Sequence, residues 1–290
     1  NPLVTVGIPT YNRPEGLRKV LTCVTQQTYK NLQIIVADNC SENENVSKIA
    51  NEFAAKDPRV KYYRHEANMG SNFNFQFVLK KAEGEFFMWA ADDDDRSLFF
   101  VEELMSVIKD RSAAFGNFTI RYEGTGREDH VKIDISAKGA NKYEQAKNFL
   151  KERIPSLFYS LYRTEDIRWY SVFIKTFDWL DCYIILEIIL KYNGFAFSDK
   201  ELYSAGIQGE NYQYKPARPH SKKIFSYTPY FNNSARLIFQ SACTTTQKLK
   251  LIFYLFEVTS KSFMAIEKNR KSHRLYSFIY RIFSRIKPTT

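Results

Sequence analysis

Glycine, proline and cysteine are scarce in this chain of 290 residues, with 11 Gly, 9 Pro and 4 Cys. So little glycine and proline excludes collagen-like and low-complexity classes. The four cysteines, Cys23, Cys40, Cys182 and Cys243, form no CxxC pair. Zinc spacing is therefore absent, a disulfide framework is not expected, and a reducing compartment is the default. Long apolar runs are missing too. The longest in the C-terminal part, Leu251–Leu255 and on to Val258, is broken by Glu257 and falls far short of the ~20 residues a spanning helix needs. A strand pattern opens the sequence, so no signal peptide is expected.

Aromatic residues, by contrast, are plentiful, with 24 Phe and 19 Tyr in a 44% apolar composition. That excludes intrinsic disorder and supplies a sizeable core. The formal net charge of +10 is unevenly spread. Residues 211–290 carry 15 Lys and Arg against two acids, Glu257 and Glu267, while residues 1–210 sum to −3. A near-neutral body with a basic C-terminal part points to an anionic partner for that part, nucleic acid or membrane.

Apolar runs at Leu3–Ile8, Leu32–Ala37 and Glu85–Ala90, with a shorter strand at Val60–Arg64, alternate with helical spacings over Glu15–Gln27, Val46–Ala55 and Asn72–Lys81. Strands that are apolar throughout are buried on both faces, and the alternation predicts a doubly wound, Rossmann-like α/β sheet. Such sheets bind ligands beyond the carboxyl ends of their strands. Polar clusters stand at three of those ends: Pro9-Thr10-Tyr11-Asn12, Asp38-Asn39 and Asp92–Asp95. Further on, Phe99–Lys109 reads as a helix, Phe115–Tyr122 and His130–Ile135 as antiparallel strands, and Tyr143–Leu150 and Trp179–Tyr192 as helices. From about residue 222 only helices are expected.

Four consecutive aspartates after an apolar strand repel one another, and a divalent cation would relieve that repulsion. Oxygen-only ligands suit Mg²⁺ or Mn²⁺, and Mg²⁺ is commonly held by one or two carboxylates plus substrate phosphates. The alternative is a solvated acidic turn that caps the following helix; the position at a strand end favours the metal.

Four stretches, taken in order, resemble family 2 glycosyltransferases of the GT-A fold. They are Gly7-Ile8-Pro9-Thr10-Tyr11-Asn12-Arg13-Pro14, Ile34–Asn39, Asn68-Met69-Gly70 and Phe87–Asp94. The resemblance covers about residues 3–110 and continues more loosely to 210. It implies a nucleotide-sugar-binding half at 1–110 and an acceptor-binding half with the catalytic base at 111–214. A basic helical region at 215–290 matches no family motif.

By the same resemblance, Pro9, Thr10, Tyr11, Asn12 and Arg13 would line the donor pocket, with Tyr11 stacking on the base. Asp38 and Asn39 would meet the base and ribose, and Asn68, Gly70 and Asn74 the phosphates and sugar. Asp92, Asp93 and Asp94 would form the DxD-type site, Asp92 and Asp94 as ligands of Mn²⁺ or Mg²⁺, with Asp95 a secondary candidate after a one-residue shift. Asn12, Asn39 and Gly70 also suit ordinary turns. The family is inverting, so one general base is implied at a helix start before a glycine. Asp181 and Asp178 are the candidates ahead of Gly194, with Asp181 preferred; both also suit a helix cap. Leu202–Asn211 falls where related enzymes often carry an Arg and a His, and neither is present. None of the four histidines shows catalytic spacing, and His65 reads as a surface residue.

Lys271–Lys287 places Leu275, Phe278, Ile279, Ile282, Phe283 and Ile286 at helical spacing among basic residues, the signature of an interfacial membrane helix; Leu249–Ile266 carries a similar apolar load. Helices that merely pack on the body would look similar. Nucleic acid is disfavoured because the aromatics lie on the apolar stripe. The expectation is an inverting enzyme held peripherally on the cytoplasmic side of a membrane. It would use a UDP-sugar donor and a glycan or polyprenyl-diphosphate-linked acceptor. A metal-dependent nucleotidyltransferase and a non-catalytic nucleotide-sugar or membrane-binding module are the rivals. The first would be expected to show a Gly-rich, Lys-containing phosphate loop near the first strand, which is absent.

Overall fold

Val4–Thr10 is a strand with every residue buried, as a run of β-branched residues ending in proline dictates. In the computed structural model, which describes residues 1–122, 124–133, 141–207 and 228–266, it is β1. Pro14 then starts helix α1 (Pro14–Thr25) in the first turn, where its missing N–H costs nothing. The chain continues through β2 (Leu32–Asp38), α2 (Glu44–Lys56), β3 (Val60–Arg64), α3 (Ser71–Lys80), β4 (Phe86–Trp89), β5 (Asp95–Arg96), α4 (Phe100–Ile108), β6 (Ala113–Tyr122) and β7 (Arg127–Val131). There follow α5 (Lys142–Glu152), β8 (Leu161–Arg163), the short α6 (Thr164–Ile167), α7 (Leu180–Leu190), β9 (Phe195–Ile207), α8 (Thr228–Gln240) and α9 (Thr245–Ile266).

All nine strands form one sheet in the order β3-β2-β1-β4-β8-β6-β9-β5, with β7 paired to β6. The first four are parallel, in register Val4↔Leu32 and Val4↔Phe86. Beyond β4 the sheet turns mixed. β8 runs antiparallel to β4 and β6, β9 parallel to β6, and β5 antiparallel to β9. The doubly wound expectation thus holds for the first half, while the second half closes the sheet with antiparallel strands. The expected hairpin is β6–β7, with Phe118↔Val131 and Tyr122↔Arg127 as partners.

Trp89 centres the packing beneath β4. It is fully buried, donates its indole N–H to the Phe75 carbonyl at 3.0 Å, and stacks on Phe158 at 4.4 Å. Each such ring pair contributes ~0.5–1.5 kcal/mol beyond area burial.

The chain divides into two compact units. The first holds the sheet and comprises the described parts of Asn1–Ile133, Ser156–Ile174 and Phe195–Ala217. The second comprises the described parts of Asp134–Pro155, Lys175–Gly194 and Arg218–Thr290. In it α7 is apolar on all sides, with Cys182 and Ile184–Leu190 buried, as a central helix must be. It packs on α5 and α8, and α9 packs on α5 and α8 in turn. Leu251 and Leu255 of α9 are fully buried while Leu249 is 60% exposed, so part of the apolar load of this helix goes into the protein core. The expected helix Lys271–Lys287 lies outside the described residues. Among the described residues no helix is long and apolar enough to cross a membrane.

Candidate functional site

The carboxyl ends of β1, β2 and β4 converge, and hydrogen bonds join the residues that the motifs singled out. Thr10, at the end of β1, donates its hydroxyl to Asp92 Oδ2 at 2.8 Å. Arg13 bridges Asp92 (3.2 Å) and Asp93 (2.8 Å). Asn12 stands at φ 56°, a left-handed position that asparagine tolerates. Its side-chain oxygen accepts from the N–H groups of Glu42 (2.8 Å) and Asn43 (3.2 Å), tying the β1 loop to the β2 loop. Pro9 is buried opposite Ala37 in the ladder, and the Tyr11 side chain stays 38% exposed, free to stack.

Asn39 closes the next layer. It donates its amide to Asn68 Oδ1 at 2.8 Å and accepts the Met69 N–H at 2.9 Å. Asn68 also takes the Gly70 N–H. Gly70, at φ 87° directly before α3, has open space where a Cβ would stand, so the backbone conformation is what calls for glycine. Asn74 is buried on α3 and donates to the Ala37 carbonyl at 2.8 Å. Its oxygen lies 3.0 Å from His65 Nε2. His65, expected on the surface, is half-buried with its ring edge-on to Phe73 and Phe77.

Asp38 is fully buried and its oxygens meet groups of this chain: the Ser41 N–H at 2.8 Å, the Tyr62 hydroxyl at 3.0 Å and Arg64 at 3.2 Å. Arg64, 42% exposed at its side chain, stands beside this carboxylate.

Two of the four aspartates leave solvent. Asp94 is 8% exposed, and the Asp92 side chain 9%. Burial pushes the Asp92 carboxyl up to about 6; Arg13 and Thr10 oppose the rise and Asp93 adds to it. Burial likewise raises Asp94. For Arg13, burial disfavours the charge, but the Asp93 hydrogen bond and the charges of both carboxylates outweigh it, so the guanidinium stays firmly protonated. Asp95 lies in β5 and pairs with Lys19 (2.5 Å) and Arg121.

Sequence reasoning missed what holds Asp94. The Tyr203 hydroxyl donates to Asp94 Oδ2, and the Gly206 N–H to Oδ1 at 3.3 Å. Both come from β9, more than a hundred residues later. Arg96 lies over the Tyr203 ring at 5.3 Å and gives Asp94 a nearby positive charge. No local pattern signals this partnership.

Gly16 lets α1 approach the acidic turn. A Cβ there would stand 2.1 Å from the Asp92 carbonyl oxygen, and backbone cannot give way as a side-chain tip can. Gly16→Ala is therefore expected to destabilise by about 3 kcal/mol, the upper end for overpacking. Urea unfolding checks this, and an unchanged midpoint would show that α1 shifts freely.

The two base candidates belong to the second unit. Asp181 is the second residue of α7, where its carboxylate accepts hydrogen bonds from the backbone N–H groups of Cys182 and of Asp181 itself. Burial raises its pKa; those bonds and the Arg153 charge oppose the rise. Asp178 precedes the helix, in the segment leading to Trp179. Among the described residues no three acidic, His or Cys side chains come together as a complete metal cage.

The Glycosyl transferase family 2 model matches residues 5–169. Among curated proteins, the chain is 31% identical over 166 residues to the GalNAc(5)-diNAcBac-PP-undecaprenol beta-1,3-glucosyltransferase of Campylobacter jejuni, covering 56% of this chain and 52% of that one. It is 30% identical over 96 residues to the putative colanic acid biosynthesis glycosyl transferase WcaA of Escherichia coli, covering 33% and 34%. The chain thus spans about half or less of the relatives it matches. Among solved structures, TarS of S. aureus in complex with UDP superposes with a TM-score of 0.70 at 15% identity, covering 93% of this chain and 76% of that one. The mannosyltransferase PcManGT of Pyrobaculum calidifontis, in complex with GDP-Man and Mn²⁺, gives 0.56 at 12%, covering 99% and 82%. At these identities the likeness establishes the fold, which is GT-A. With its four motifs joined at one sheet end and the family model matching more than half its length, this chain belongs to glycosyltransferase family 2.

Proposed function

We propose that the chain transfers a sugar, with inversion, from a UDP-sugar to a glycan carried on a polyprenyl diphosphate, in the assembly of a surface polysaccharide. The observation that carries the reading is the junction of Thr10, Arg13, Asp92 and Asp93 beyond the carboxyl ends of β1 and β4, followed by Asp94 held by β9. The C. jejuni relative's undecaprenol-linked acceptor and the TarS complexes with UDP and UDP-GlcNAc support the substrate classes.

The donor set fits Mn²⁺ or Mg²⁺. Asp92 and Asp94 offer oxygen only, and one or two carboxylates suffice where a diphosphate completes the shell. Bound there, the cation would supply positive charge to the leaving diphosphate. Thr10 and Arg13 orient Asp92, and Tyr203 and Gly206 orient Asp94. Tyr11 stacks on the base, Asp38 with Arg64 reads its edge, and Asn39, Asn68, Gly70 and Asn74 shape the wall beside ribose and phosphates. Asp181, preferred over Asp178, takes the proton of the attacking hydroxyl. The basic residues of 215–290 draw the enzyme peripherally to anionic lipid on the cytoplasmic face, at ~1 kcal/mol per Lys or Arg near the surface.

UDP and UDP-sugars with Mn²⁺ are expected to raise the melting temperature, since a ligand at 100 times its Kd stabilises by about 2.7 kcal/mol. UDP release in the presence of UDP-glucose or UDP-N-acetylglucosamine then tests turnover. Stabilisation without release under any acceptor would favour the non-catalytic module. Release of pyrophosphate from a nucleoside triphosphate would favour the nucleotidyltransferase.

A further inference from the structure

Two non-glycine residues in the second unit hold left-handed backbone conformations and touch each other. Arg153, the residue that ends α5, stands at φ 48°, ψ 77°. Trp179, the residue that begins α7, stands at φ 63°, ψ 34°. The Arg153 guanidinium lies over the Trp179 ring at 4.2 Å, well inside the range of a cation–π contact. The indole also meets Tyr230 of α8, edge-on at 5.3 Å. Left-handed conformations are costly for a bulky residue such as Trp and persist only where the surroundings enforce them. Here the enforcing contacts come from the ends of two other helices, and the enforced residue lies two positions before Asp181.

We propose that Arg153 is a positioning residue for Asp181: stacked on Trp179, it fixes the start of α7 and so the direction in which the Asp181 carboxylate is held. The assignment rests on Asp181 being the general base. Trp179 could not cap α7 with its side chain, and no side-chain cap is present; the helix start is set instead by the stack. Arg153 also brings a positive charge to a carboxylate that burial disfavours. Among the described residues, the other titratable groups acting on Asp181 are the Cys182 thiol beside it and the buried Tyr230 hydroxyl. Burial keeps both neutral, so among the described residues Arg153 supplies the positive charge that acts on Asp181.

Arg153→Ala and Arg153→Lys test this beside Asp181→Asn, in the full chain with Mn²⁺. The probe is UDP release from whichever of UDP-glucose, UDP-galactose, UDP-N-acetylglucosamine and UDP-N-acetylgalactosamine turns over fastest. In Arg153→Ala the acidic limb of the kcat/KM profile moves to higher pH, so the loss is at least ~3-fold greater at pH 6 than at pH 8, while UDP affinity is unchanged. Arg153→Lys keeps the charge without the planar stack and recovers only part of the profile. The Asp181 carboxyl ¹³C resonance, assigned by its loss in Asp181→Asn, titrates at higher pH in Arg153→Ala; this readout needs no turnover. A profile and titration parallel to wild type, with Asp181→Asn inactive, would overturn the positioning role and leave the base in place. Full activity in Asp181→Asn would overturn both.

Discussion

Replacing Asp94 by alanine is expected to remove metal-dependent turnover, by about 10²–10³-fold. Charge stabilisation at the leaving group contributes several kcal/mol, and each 1.36 kcal/mol is tenfold in rate. The substitution also orphans two donors, the Tyr203 hydroxyl and the Gly206 N–H, at ~1–3 kcal/mol for each buried unsatisfied group. Asp94→Asn separates the two effects. Its amide oxygen keeps an acceptor for the Gly206 N–H while its NH₂ can donate to the Tyr203 hydroxyl oxygen, so its urea midpoint falls less than that of Asp94→Ala, yet it offers the cation no negative charge. UDP release measured with and without Mn²⁺ reads the result. If either variant keeps metal-dependent release intact, Asp94 is not a ligand, and the acidic turn serves only to join β4 to β9.

Asp181→Asn is expected to lower kcat by about 10²–10⁴-fold, the usual contribution of a general base. Asparagine can still accept the N–H bonds at the α7 start, so melting temperature and UDP affinity hold. The sign of the pH dependence follows from the raised pKa. A base works ionised, so wild-type kcat/KM falls as pH drops through the Asp181 pKa, which burial sets above the ordinary carboxylate range. The variant's residual rate loses that limb. Asp178→Asn is expected to stay within about threefold of wild type, since Asp178 is half-buried ahead of α7 and outside the first helical turn that holds Asp181. A dead Asp178→Asn beside an active Asp181→Asn would reverse the assignment.

The donor half was legible because its physics is local. Val4–Thr10, Leu32–Asp38 and Phe86–Trp89 are mostly apolar and buried throughout, and the polar residues at their ends announce themselves by contrast. The meeting of Thr10, Asn39 and Asp92 follows from parallel pairing, since β1, β2 and β4 end side by side, and Asn74 joins them from α3. Strand β9 was illegible because Ser198-Asp199-Lys200-Glu201 reads as a turn. The structure absorbs it as a bulge, where pairing jumps from Gly116↔Ser198 to Asn117↔Glu201. The two-residue β5 and three-residue β8 are too short for any periodicity to show. Trp179 was read as helical; its left-handed conformation depends on Arg153 and Tyr230, neither adjacent in sequence.

The anchoring of Asp94 by Tyr203 and Gly206 sets an order of events during synthesis. The four motifs, between Gly7 and Asp94, leave the ribosome well before β9, and β1 to β4 can pair as they emerge. Asp94 then has neither β9 partner until some hundred more residues have been made. A nascent chain or proteolytic fragment ending before Phe195 would carry every family motif and still lack the strand that holds the last aspartate in place.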